Sequence, residues 1–273
     1  YGMLGEMSPR VILFVANFFF SALSALALYV LLPYLATLMP AAYTGLVVAG
    51  GGLVALILFP SLPHLVARYG AQKLALIFAI VEMITLFVLA AAPGLFASIL
   101  FIIVMVALQP FLSYELDLLL EAASTEEGTT GRVRALFLTA WNAGAFVTPL
   151  LVGALLASSD AYGRVFLAAA AALVPFIVLF AARRLPTGTV TTSPVAMSTT
   201  LSCILHNRDL AAVSFAHIIL WCFYVWAPMY GSIYLHSVLG FSWTDLGWIF
   251  SIMLIPYVLI EYPAGWLADR FIG

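Results

Sequence analysis

Eight stretches of mainly apolar residues decide what this chain can fold into. They run over about 10–36, 41–66, 73–92, 94–121, 132–157, 164–183, 209–236 and 242–267. Each is long enough to cross a hydrocarbon core of roughly 30 Å as a helix. In lipid, backbone N–H and C=O groups are satisfied only by helices or closed barrels. The stretches lack the apolar/polar alternation of barrel strands, so all eight are read as helices. With 65% hydrophobic residues, 8% charged and a mean hydropathy of +1.15, the chain has too little polar surface to cover a soluble globule. The expected fold is an all-α polytopic membrane protein.

A net charge of −2 says little for such a chain, because the side on which each Lys or Arg lies is what matters. If the N-terminus is cytoplasmic, the inner side holds Arg10, Arg68, Lys73, Arg132, Arg134, Arg183, Arg184, Arg208 and Arg270, and the outer side Arg164 alone. That bias fixes the expected orientation, a multi-pass protein of the cell membrane with a cytoplasmic N-terminus. It also checks the span count, since one helix more or fewer would scatter the charges. No cleavable signal peptide is expected, because the first apolar stretch is too long for one. Cys203 and Cys222 have no evident disulfide or metal partner and are read as structural.

The longest polar connector, about 184–208, is rich in Thr, Ser, Pro and Gly and reads as a linker. It divides the chain into a six-helix bundle over 1–183 and the first two helices of a second bundle over 209–273. A repeat supports the division. Arg68-Tyr69-Gly70 and Asp269-Arg270 each close an apolar stretch, their arginines 202 positions apart (270 minus 68), and the same offset aligns Gly45 with Gly247.

The segment Gly265-Trp266-Leu267-Ala268-Asp269-Arg270 resembles the cytoplasmic loop signature of the major facilitator superfamily, found there between helices 2 and 3 and again between 8 and 9. The resemblance implies twelve helices in two halves around a central cavity, with this chain covering about the first eight. Tyr1 and Gly273 accordingly read as fragment ends. The second copy departs from the pattern in that Gly273 falls one position late. The first keeps Arg68 and Gly70 but has Pro63 and Ala67 at the Gly and Asp positions. An Asp at such a helix end can accept from the free N–H groups of a neighbouring helix start and pair with an adjacent Arg. Asp269 is the candidate gate, with Gly265, Arg270, Gly273, Arg68 and Gly70 as the surrounding motif.

Carboxylates within apolar spans are costly and face a partner or a cavity. Glu82, Glu115, Asp117 and Glu261 qualify. Glu115 and Asp117, on a helix that lines the cavity in relatives, are the candidates for proton coupling. Snorkelling to the interface is the plainer role for that pair, and a local pairing with Arg270 or Arg208 for Glu261. For solute contact, helices 1, 4 and 7 of such carriers imply Asn17, Gln109, His217, Trp221 and Tyr224, and the fifth span adds Asn142. His217, Trp221 and Tyr224 fall at i, i+4 and i+7, one stripe that suits an apolar or amphipathic ligand, though such stripes also pack helix on helix.

The function expected is a secondary active transporter moving a small solute by alternating access, coupled to protons. The lipophilic cavity favours efflux of a lipophilic or neutral compound, with uptake of a sugar-like or neutral nutrient as the alternative. The sequence calls for no cofactor, metal or nucleic acid, and for a monomer whose partners are solute, proton and bilayer. Two other classes are a polytopic membrane enzyme and a non-transporting remnant. The enzyme would need a clustered constellation at one depth, whereas His64, His206, His217 and His236 are scattered.

Overall fold

The computed structural model describes residues 7–124, 130–156, 159–186 and 197–271. Ser8 and Pro9 open the first helix, with the Ser8 hydroxyl accepting from the Val11 amide and proline at the first helical position. The elements are α1 (Pro9–Ala36), α2 (Ala41–Leu58), α3 (Leu62–Tyr69), α4 (Ala71–Ala90), α5 (Leu95–Ala123), α6 (Thr130–Leu156), α7 (Tyr162–Ala182), α8 (Met197–His206), α9 (Arg208–Ile233) and α10 (Trp243–Phe271). A 3-10 turn, Phe59–Ser61, joins α2 to α3, and a π-helical turn, Tyr234–Val238, closes α9. The described residues contain eight helical segments long and apolar enough to cross a membrane, and their bounds fall within a few residues of the eight expected stretches. The chain is a multi-pass membrane protein.

Cross-helix contacts show that successive spans alternate in direction. At one end, Arg10 Nε donates to the Ala123 carbonyl, Arg134 faces Asp117, and Gln72 meets the end of α7. At the other, the Tyr34 and Ser98 hydroxyls share a hydrogen bond and Gly163 lies against Ala90. Nine of the ten basic residues therefore sit towards the first end, called here the basic end, and Arg164 towards the far end.

Helix α1 is the hub. It packs on α6, α7, α9, α5 and α2 and is the most enclosed of the spans. Its contact with α6 is polar as well as tight. Asn17 Nδ2 donates to the Phe137 carbonyl at 2.8 Å, Ser21 Oγ to that of Trp141 at 2.5 Å, and Thr148 Oγ1 lies 3.4 Å from that of Ala22. Hydrocarbon gives apolar surfaces no reason to associate, so small residues and side-chain hydrogen bonds of this kind hold membrane helices together. Helix α9 is the opposite case, buried only near its far end at Met229 and Ser232.

The connector over 184–208 contains a helix that its composition hid. Within it, α8 follows from Met197, Leu201 and Ile204 at helical spacing, while residues 187–196 lie outside the described set. Both cysteines are exposed rather than buried, because α8 and α9 pack on so little. The two ends of the repeat also differ. The offset of 202 relates Ala41–Tyr69 to Trp243–Phe271 at both termini, yet the first copy breaks at Pro60 and Pro63 where the second stays continuous.

Gln72 ties α4 to the end of α7. Its Nε2 donates to the carbonyls of Phe180, at 2.7 Å, and Arg183, while its Oε1 accepts from the Leu185 amide at 3.0 Å. Those backbone groups have no helical partner beyond Ala182. Gln72→Leu is expected to lower stability by about 2 kcal/mol, the cost of leaving half-buried polar groups unpaired. Thermal unfolding in detergent reads it, and an unchanged midpoint would mean the tie carries no load.

Candidate functional site

At the basic end, the last turn of α10 meets the first turn of α6. The N–H groups of Gly131 and Arg132 emerge from the start of α6 without helical acceptors, at the positive end of the helix dipole. Asp269 fills both positions. Its Oδ1 accepts from the Gly131 amide at 2.8 Å and its Oδ2 from the Arg132 amide at 2.9 Å, with Arg132 Nε 3.3 Å from Oδ2. Glycine makes the approach possible. A Cβ on Gly131 would collide with the Asp269 carboxylate, and one on Gly265 would stand 2.7 Å from the Gly131 carbonyl oxygen.

Desolvation acts to raise the Asp269 carboxyl, but the bonds from the Arg132 and Gly131 amides and the Arg132 guanidinium outweigh it. The group is held below its usual value. The sign follows directly. The charged contact is intact above that depressed value and is lost only as pH falls through it, so it persists across the neutral range.

The other motif residues are placed as follows. Arg270 lies over the Trp266 ring at 5.3 Å, and Arg68 over the Tyr69 ring at the same distance. Gly70 makes the turn into α4 with φ of +82°, a conformation that favours glycine. The first copy has Ala67 where Asp269 stands in the second, so it offers no carboxylate. Gly273 lies outside the described residues.

At the far end a second polar contact ties the start of α10 to the turn between α6 and α7. Trp243 Nε1 donates to Asp160 Oδ1 at 3.1 Å, and His236 Nε2 lies 3.8 Å from the same oxygen. The His236 ring is 4.2 Å from that of Trp243, and its Nδ1 meets the Phe241 carbonyl at 2.8 Å. Sequence reasoning missed this group. Asp160 and Trp243 are 83 positions apart, and no spacing rule joins a loop carboxylate to a distant indole.

The six residues expected around the solute each have partners of their own. Asn17 is buried with its amide committed to Phe137. Gln109 is half-buried and bonded at both ends, its Nε2 to Glu82 at 2.8 Å and its Oε1 to the Ser24 hydroxyl at 2.5 Å. His217 and Trp221 bond each other, indole Nε1 to imidazole Nε2 at 2.7 Å, and line an open groove on α9 with Ile218, Cys222, Val225 and Trp226. Tyr224 turns instead to Tyr257, ring to ring at 5.6 Å. Asn142 Nδ2 reaches Glu261 Oε1 of α10 at a long 3.5 Å. Tyr257 is a residue the sequence did not single out, although it precedes Glu261 by one helical turn.

The two coupling candidates part company. Asp117 is half-exposed and faces Arg134 across α5 and α6 at 3.8 Å. Glu115 is fully buried, and neither of its carboxyl oxygens has a hydrogen-bond partner.

Eight alternating spans, a buried first helix and an Asp269 contact between α6 and α10 describe a polytopic membrane protein. The family profile described as Major Facilitator Superfamily matches residues 13–273, almost the whole chain. This protein belongs to the major facilitator superfamily. Among curated protein sequences none matches the chain.

Proposed function

We propose that this protein moves a small solute across the cell membrane by alternating access, coupled to protons, with its N-terminus and basic end in the cytoplasm. The observation that carries the reading is the Asp269 contact, which locks the start of α6 to the end of α10. A contact made in one conformation and broken in the other biases an alternating-access equilibrium. The halves that rock are 1–183 and the helices from 209 onward. Asn142 and Tyr224, drawn towards Glu261 and Tyr257, with Trp221 and His217 on the same helix as Tyr224, offer aromatic faces and few charges, which suits a lipophilic or neutral compound. Asn17 and Gln109, on the first and fourth spans, are the remaining candidates.

Glu115 supports proton coupling because a carboxyl in hydrocarbon without a partner is best accommodated with its proton on. Asp117 with Arg134 is the second candidate. The test is solute-driven proton flux in proteoliposomes carrying an internal pH dye, screened across lipophilic, neutral and sugar-like compounds. Flux driven by one compound class is the expected result, and none in any class would overturn the reading. In Glu115→Gln flux should fall at least tenfold, about 1.4 kcal/mol of lost coupling, while solute binding persists. Full coupling in both Glu115→Gln and Asp117→Asn would remove these residues from the mechanism.

A further inference from the structure

Glu82 sits near the middle of α4, fully buried, at the inner end of a chain of polar groups drawn from three helices. Its Oε1 accepts from Gln109 Nε2 of α5 at 2.8 Å, and Gln109 Oε1 in turn accepts from Ser24 Oγ of α1 at 2.5 Å. Ser24 and Gln109 are half-buried, so the chain leads from a reachable face to a sealed carboxyl. Glu82 Oε2 has no hydrogen-bond partner.

The cations on the elements around Glu82 all lie at the ends. Lys73 of α4 is nine residues away, about 14 Å along the axis. Arg68 and His64 are on α3, Arg10 is at the start of α1, and Arg164 of α7 stands one residue past Gly163, which packs on Ala90 at the far end of α4. The acids of α5, namely Glu115, Asp117 and Glu121, follow Gln109 towards the basic end. The tyrosines on these helices are Tyr29 and Tyr34 of α1, Tyr69 of α3, Tyr114 of α5 and Tyr162 of α7. A carboxylate with one free oxygen and no countercharge is poorly tolerated at this depth, and a neutral carboxyl is tolerated far better.

We propose that Glu82 is a proton-binding site of this carrier, closed from the α1 and α5 face by the Ser24 and Gln109 side chains. Loading adds one proton to Oε2 of the carboxylate, forming an O–H bond, while Oε1 keeps accepting from Gln109. Release breaks that O–H bond and returns the proton to water on the open face. Ser24 supplies the hinge of the closure. Its single hydroxyl proton has two acceptors within reach, Gln109 Oε1 and the Phe20 carbonyl at 2.8 Å, so Ser24 can turn to its own helix and free Gln109 to swing aside. As a route for the coupling proton the site rests on the transport reading. As a site for a proton it does not.

The test is infrared difference spectroscopy on the purified full chain, comparing wild type, Glu82→Gln and Gln109→Leu in water and in D2O. Wild type should show a protonated-carboxyl stretch at neutral pH that shifts in D2O, vanishes at alkaline pH and is missing from Glu82→Gln. Measuring the loss against wild type separates it from any Glu115 band. In Gln109→Leu the same band should exchange with D2O about tenfold faster, as one closing hydrogen bond is gone. An identical band in Glu82→Gln, or a wild-type band that neither titrates nor exchanges, would overturn the site. If Glu82→Gln does not fold, the exchange rate of Gln109→Leu decides: unchanged exchange overturns the closure and with it the proposal. A titrating band together with no solute-driven flux would sink the transport reading and leave the site standing.

Discussion

Gly144→Leu should leave little folded protein. Gly144 lies where α6 crosses α1, and a Cβ there would collide with the Phe18 carbonyl oxygen, 3.0 Å from the Ser21 Cβ and 3.2 Å from the Ala22 amide. Two of the three obstacles are backbone of the most enclosed helix, which cannot move without carrying its other contacts along. The crossing also aligns the Ser21 bond to Trp141 and the Thr148 approach to Ala22, so the helices cannot part to admit a side chain without losing both. Overpacking of a close-packed contact costs about 3 kcal/mol and can exceed it. Gly52→Ala is the matched control. Nothing lies within 4 Å of a Cβ there, and alanine in a helix interior is expected to be neutral or stabilising by up to about 1 kcal/mol. Equal unfolding midpoints for the two variants in detergent would mean that α1 and α6 do not cross as described.

Asp269→Ala should open the basic end. The substitution removes the acceptor for two backbone amides and the Arg132 guanidinium at once, and water must replace all three. Spin labels at Leu136→Cys and Leu267→Cys, exposed positions on α6 and α10, report the separation once Cys203 and Cys222 are replaced by serine. A longer-distance population that grows several-fold over the parent is the expected result, and it should be the same at pH 6 and pH 8 because the carboxyl titrates only in acid. Asp269→Asn should fall between, since its amide oxygen still accepts from one N–H. A distance distribution unmoved by Asp269→Ala would strip the residue of any gating role.

What could be read in advance divides along physical lines. The eight spans were legible because lipid permits one economical solution for an apolar stretch of that length, and their ends because Gly, Pro and charge cannot sit comfortably at mid-depth. The separation of the basic residues was legible for the same reason, and cross-helix contacts at both ends agree with it. Helix α8 was not, because Met197, Leu201 and Ile204 are outnumbered by Ser and Thr, and composition averages away a period. The exposure of both cysteines was not legible either, since burial depends on neighbours, of which α8 and α9 have few.

Apart from the kind of partner expected for Asp269, the site was legible only in its residue types. That Gln109, Asn142 and Asp269 carry polar groups into or beside a membrane is written in the chain. What each one touches is not, because their partners lie 27, 119 and 137 or 138 positions away. Glu82 shows the difference most clearly: the sequence marks it only as a costly carboxylate in the third span, while the structure buries it completely and pairs it with Gln109 of α5. The sequence by itself determined the membrane-crossing helices, their number and their alternation, because desolvation of the backbone is a local cost that each segment must meet alone. Only the tertiary structure decided which carboxyl is sealed, which amide is spent on packing and which helix starts receive a charge, because those depend on which faces meet, and glycine and serine at the crossings set that.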